Sequence, residues 1–288
     1  MHQLSLKPVN ALSDYVTICD LDGIPVISVR HPLAEAAISL HGGHLIGYKP
    51  TGNDDIIWLS EKAEFNTAKA IRGGIPVCWP WFGKVANPSH GFARTSLWTL
   101  DEHRENDEGV IVSLTLQDSE ASRDIWPNKF KNQLLFKIGK TLSVELITTN
   151  TDDKSWDYSG ALHSYFQVDA IQNTAITGMG PSYIDSLQNG DTFEGGETLR
   201  FDSETDRVYT QPENAIVIAD GQRQLTVENS GDNCAVIWNP WVELSTAMGD
   251  MADNSYETMV CVESTISGET VTLAPGESHT LATNVSAS

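Results

Sequence analysis

The chain has 288 residues and carries 18 Lys and Arg against 39 Asp and Glu, a formal net charge of −21. So anionic a chain is not expected to take nucleic acid or an anionic membrane as a partner, because both are held through basic side chains. With 40% apolar and 20% charged residues, it is expected to bury a core without crosslinks.

Taken in chain order, residues 1–8 hold no long apolar run behind a basic patch, so no signal peptide is expected there. Nothing approaches the roughly 18 consecutive apolar residues of a membrane span. Strands are expected at 24–29, 44–49, 56–59 and 96–100, then at 110–116, where Val110, Val112, Leu114 and Leu116 alternate onto one face. Leu134, Phe136 and Ile138 alternate likewise, as do Leu142, Val144 and Leu146, and Lys140-Thr141 between them suggests a hairpin. Further strands are expected at 161–168, 215–219, 223–228, 234–238 and 258–263, with Val271–Leu273 and Thr280-Leu281 flanking a Pro275-Gly276 turn. Helical patterns are short, at 120–126 and 244–250, and 152–154 and 190–196 read as exposed loops. Many short strands punctuated by Gly, Asn, Asp and Pro make an all-β antiparallel sandwich, expected to be one domain over 1–288.

Four cysteines, Cys19, Cys78, Cys234 and Cys261, stand singly in apolar runs and read as reduced core thiols of a cytoplasmic protein. No phosphate-cradling loop, zinc-protease helix, nucleophile elbow or dinucleotide fingerprint occurs. His41-Gly42-Gly43-His44 reads as a turn rather than as metal ligands, so neither metal nor cofactor is expected. Asn284-Val285-Ser286 matches a glycosylation sequon by chance.

The most informative segment is 65–100. It holds no Asp or Glu, where an even spread would put about five, but it contains Lys69, Arg72, Lys84 and Arg94. A basic pocket within a repulsive field is suited to a small anion. Among the histidines, His2, His103 and His279 sit in polar surroundings and are expected to be solvated, and His31 precedes Pro32 in a turn. His90 stands at the edge of the acid-free window, and His163 lies in a bulky apolar strand. Glu263 ends the apolar run Thr258–Val262, where a buried unpaired carboxylate would cost several kcal/mol, so it belongs to a rim or a polar site. Asp206-Arg207 is a second rim candidate, and Trp238-Asn239-Pro240-Trp241 offers aromatic faces to a sugar ring.

Six segments together resemble the hexose-6-phosphate mutarotases, a branch of the aldose 1-epimerases. They are Ile71–Pro76, His90–Arg94, Leu162–Phe166, Thr205–Arg207, Trp238–Pro240 and Cys261–Glu263, in order along the chain. The resemblance, spanning roughly 35 to 281, implies a galactose-mutarotase-like β-supersandwich with few short helices. It also implies a cofactor-free isomerase that interconverts the anomers of hexose 6-phosphates, chiefly glucose 6-phosphate. It makes His163 the general acid and Glu263 the general base. Arg72 and Arg94 become phosphate and substrate contacts, Asp206 a sugar contact, and His90 the histidine of a second site motif. At position 89 the chain has Ser where members often carry Gln. The catalytic pair is expected in one cleft, several ångströms apart, with C1 and the ring oxygen between them, and the protein is expected to act as a monomer. Two other classes fit some residues: a non-catalytic sugar-phosphate sensor, which has no need of the His163–Glu263 pair, and a glycoside hydrolase using Asp206 and Glu263, which leaves His163 idle.

Overall fold

In the computed structural model, which describes residues 4–221 and 223–288, three antiparallel sheets build the molecule. His2 lies outside the described residues. The first sheet is a five-stranded meander in chain order: Lys7–Ala11, Val16–Leu21, Ile24–His31, Ala34–Ser39 and His44–Pro50. A nine-stranded sheet holds the strongest alternation of the sequence. Its strands Phe130–Ile138 and Leu142–Asn150 pair from Ile138↔Leu142 outward, closing the expected hairpin. Their alternate residues Leu134, Phe136, Leu142, Val144 and Leu146 are buried, because a two-residue period sends every second side chain to one face. The third sheet has eight strands and centres on Met259–Leu273, 15 residues long.

Aromatic packing joins the sheets. Trp79, beside the short strand Val77–Cys78, packs its ring 4.3 Å from that of Phe130 and edge-on to Trp126 and Phe92. The Tyr48 hydroxyl of the first sheet donates to the Gly139 carbonyl at the nine-stranded sheet's hairpin, 2.8 Å away. One apolar cluster runs continuously from Val16 to Val285.

Several expectations need correction. Residues 56–59 form no strand, only isolated bridges at Ile57 and Leu59. The strand expected at 96–100 runs Thr99–Asn106, because a 3-10 turn at Ala93–Thr95 occupies the chain just before it. The segment 190–196 carries an edge strand, Asp191–Glu194. The runs at 258–263 and 271–273 are one strand. The first helix, Glu120–Ile125, falls as expected, started by a reciprocal Ser119–Ser122 capping box. The second runs Trp241–Ala247, three residues earlier than expected, because the Asn239 side chain accepts the Trp241 N–H at 2.9 Å and starts it there. His31 is buried at the end of its strand, and His279 is half-buried, its Nδ1 2.7 Å from the Tyr158 hydroxyl. All four cysteines are free and buried. No helix among the described residues is long and apolar enough to cross a membrane.

Candidate active site

The strand expected at 161–168 is broken. Trp156–Leu162 and Tyr165–Gln167 both pair with Met259–Leu273, leaving His163 and Ser164 between them outside regular pairing. The register does not slip: Leu162 faces Ser264 and Tyr165 faces Cys261, so His163 falls opposite Glu263. On the other flank Glu263 faces Val236, Cys261 faces Trp238, and Trp238 faces Asp206. Two cross-strand rows result, two residues apart and hence on one face of the sheet. They form the floor of a cleft of about 630 Å³.

Arg72, His90, Arg94, Asp206, His163 and Glu263 all line that cleft, as do Lys84 and Trp238. Trp241 instead packs against Tyr256, with ring centroids 5.2 Å apart.

The heads of His163 and Glu263 meet directly, Nε2 to Oε1 at 3.3 Å, so no sugar atom fits between them and a substrate must lie over both. Their register explains the contact: residues opposite each other on neighbouring strands bring their side chains together. Glu263 is 1% exposed and His163 13%. Glu263 Oε2 and His163 Nδ1 are buried without a hydrogen-bond partner among the described residues, the kind of orphaned polar atoms that a ligand satisfies. Burial, followed by the neighbouring Asp206, holds the Glu263 carboxyl well above the usual carboxylate range, against an opposing pull from Arg94. Burial, followed by His90, Arg94 and Arg72, holds His163 well below the usual histidine range. Both groups are driven toward neutrality, so the pair shares a single proton in its acid–imidazole form. The general-acid and general-base roles implied by the resemblance need the other tautomer, with the proton on His163 and the charge on Glu263.

The acid-free window forms the facing wall. His90 adopts a left-handed backbone, φ 62°, and its Nδ1 accepts the Gly83 N–H at 3.3 Å, which leaves Nε2–H as a donor. Burial, helped by Arg94, Arg72 and Lys84, pushes its pKa down to about 4, so at neutral pH it donates without carrying charge. Arg94 donates from Nη2 to the Ser89 carbonyl at 2.8 Å, which gives position 89 a role through its backbone. Among the described residues, no carboxylate lies within 4.0 Å of the Arg94 guanidinium or the Lys84 ammonium. Lys69, in contrast, is tied to Glu64 at 3.0 Å on the exposed rim.

Arg72 is differently placed. Its Nε donates to Asp250 Oδ2 at 3.1 Å and its Nη1 to the Tyr165 hydroxyl at 3.0 Å. Neither partner was anticipated. Tyr165 was legible in principle, since it stands two residues beyond His163 and so shares its face, and its ring stacks on the imidazole at 4.8 Å. Asp206 has its pKa raised by burial and by Asp185, offset by Ser186 and Lys84.

Behind the wall, the His41–His44 turn buttresses the arginine segment. His41 Nε2 lies 2.7 Å from the Lys69 carbonyl, and His44 Nε2 2.7 Å from that of Gly73. Burial pushes the His44 pKa down to about 3, so its ring is neutral. Gly73 and Gly74 have φ of 99° and 70°, and a Cβ on Gly74 would stand 2.3 Å from the Leu45 carbonyl oxygen. Only glycine lets Arg72 approach the sheet behind it this closely.

His163, Cys261 and Glu263 bring three donor atoms within 4.8 Å of one another. To hold a soft divalent ion, Glu263 and Cys261 would have to give up protons that burial retains. The donor set suits proton exchange better than coordination.

The sequence model of the family described as aldose 1-epimerase matches residues 25–286. A Salmonella typhimurium protein provisionally named glucose-6-phosphate 1-epimerase is 41% identical over 267 residues, covering 90% of this chain and 89% of its own. An Escherichia coli protein with the same provisional name is 37% identical over 274 residues, covering 92% and 91%. The solved structure of a provisionally named mutarotase, YeaD of Salmonella typhimurium, superposes with a TM-score of 0.95 at 37% identity, covering 99% of this chain and 97% of its own. A galactose 1-epimerase from Lactobacillus acidophilus shares the fold at 14% identity, with a TM-score of 0.72 and 99% of each chain covered.

Proposed function

The chain belongs to the aldose 1-epimerase family, and from that premise we propose that it interconverts the α and β anomers of hexose 6-phosphates, chiefly glucose 6-phosphate. The observation that carries this reading is the buried His163–Glu263 contact on the cleft floor, 3.3 Å between heads, facing Arg94 and Lys84, which have no carboxylate within 4.0 Å among the described residues.

Anomer exchange needs one proton delivered to the ring oxygen and one removed from the anomeric hydroxyl. In its charge-separated tautomer the pair does both: His163 gives, Glu263 takes, and the ring opens to the aldehyde. Both residues are then neutral, the state that burial favours, so the proton moves with the electrostatics of the floor during opening. Rotation about C1–C2 presents the other carbonyl face. Closure returns the protons in reverse, Glu263 giving to the carbonyl oxygen and His163 taking from the ring-oxygen hydroxyl. No redox group or metal enters the proton balance.

Asp206 and the neutral His90 are suited to sugar hydroxyls, Trp238 to the apolar face of the ring, and Arg94, Arg72 and Lys84 to the phosphate. The free cysteines favour a cytoplasmic setting.

The test is NMR exchange or polarimetry on α-glucose 6-phosphate beside unphosphorylated glucose. Equilibration faster on the phosphorylated sugar and unaffected by EDTA is expected. Absence of acceleration on either sugar overturns the activity. Activity lost to EDTA and restored by a divalent ion overturns the cofactor-free mechanism.

A further inference from the structure

We infer that Asp250 is a specificity-setting residue of this cleft: a built-in counter-anion that a substrate phosphate must share Arg72 with. The inference rests on the reading of the cleft as a hexose-phosphate site. The two arginines of the acid-free window are unequal. Among the described residues Arg94 meets a single carbonyl, whereas Arg72 meets a carboxylate as well as a tyrosine hydroxyl. Those contacts use two of the five N–H donors of the guanidinium and leave Nη2 for an incoming anion. Asp250 and Arg72 each keep 26% of their side-chain surface exposed, and both line the cleft.

The carboxylate cannot easily withdraw. Its own carbonyl accepts the Ser60 hydroxyl at 2.6 Å, and the flanking Met248 and Met251 pack with Trp58, Tyr165 and Met259. A phosphate on Arg72 therefore meets Asp250 across the same guanidinium, and like-charge repulsion lowers its affinity. An unphosphorylated sugar, placing no charge there, does not feel this. Asp250 thus keeps the ground-state complex with the phosphorylated anomers weak while holding the Arg72 fork in one orientation. Since substrate and product carry the same phosphate, both leave with the same ease.

The test measures binding of inorganic phosphate, and KM for glucose 6-phosphate and glucose, in wild type and Asp250→Asn. Removing the charge while keeping the shape is expected to tighten phosphate and lower KM for the phosphorylated sugar about three- to fivefold, the scale of one partly screened ion pair. KM for glucose should not change. A second variant pair covers the case in which Asp250→Asn folds poorly. Arg72→Ala leaves Asp250 as an uncompensated anion, so Arg72→Ala/Asp250→Ala should bind phosphate more tightly than Arg72→Ala alone. Unchanged or weaker phosphate binding in Asp250→Asn with wild-type Tm, or no recovery in the double variant, overturns the inference. A wild type that neither binds phosphate nor prefers the phosphorylated sugar overturns the function reading and this inference together. A wild type that does both, with Asp250→Asn no tighter, overturns this inference alone.

Discussion

The floor and the wall of the cleft treat charge in opposite ways. On the floor, burial drives His163 and Glu263 toward neutrality and leaves each with an unpartnered polar atom. On the wall, Arg94 and Lys84 line the cleft with no carboxylate among the described residues within 4.0 Å. The floor is built from strands whose register fixes side chains opposite one another, the wall from a loop in which backbone contacts aim them. Proton transfer calls for a dry, rigid setting and anion capture for an accessible one, and a single cleft supplies both by changing the kind of element on each side.

The comparison breaks most visibly at the floor. His163→Asn and Glu263→Gln should each cut kcat by at least about 10² while leaving sugar-phosphate binding largely intact. Because one proton passes between them, the double variant should lose far less than the product of the single effects. Near-normal turnover in either single variant, measured by anomer-exchange NMR, removes the mechanism.

The wall should respond in binding instead. Arg94→Ala is expected to lower kcat/KM for glucose 6-phosphate about ten- to a hundredfold, the worth of a charge-assisted hydrogen bond. Glucose should be little affected. Equal losses on the two sugars would make Arg94 a structural residue.

The smallest effect is on stability, and its sign follows from linkage. Glu263 is held well above its unfolded value, so its contribution to folding is full below about pH 4.5 and is lost as pH rises through the folded value. His163, shifted downward, has the opposite dependence and is flat above about pH 6.5. Between about pH 4.5 and about pH 8, Glu263→Gln should therefore gain Tm relative to wild type, about 2–4 °C per kcal/mol in a chain of this size. Thermal melts at the two pH values check this, and a difference that shrinks with pH contradicts the assignment.

Sequence made the two regions legible by different routes. Alternation exposed the hairpin of the nine-stranded sheet because one face of it is wholly buried. The lone carboxylate in an apolar run exposed Glu263, and the missing acids exposed the wall. Residues 56–59 looked like a strand because their apolar side chains are buried, but they serve as a bridging loop. The break at His163 left no local mark, since it depends on how two strand pieces meet a third. Asp250 was invisible for a related reason: its partner lies 178 residues away, and neither sits in a pattern that points to the other.

The glycine pair behind Arg72 limits how portable this cleft is. Gly73 and Gly74 are pressed against Trp58, His44 and Leu45, and the Ile75 N–H donates to the Leu45 carbonyl at 2.9 Å. The first meander, which contributes His44 and Leu45, lends no side chain to the cleft lining, yet it is the mould against which the arginine segment is cast. Grafting the six site residues onto another sandwich would copy the lining and omit the mould. A lineage that keeps the cleft is thereby bound to keep a sheet that never touches the sugar.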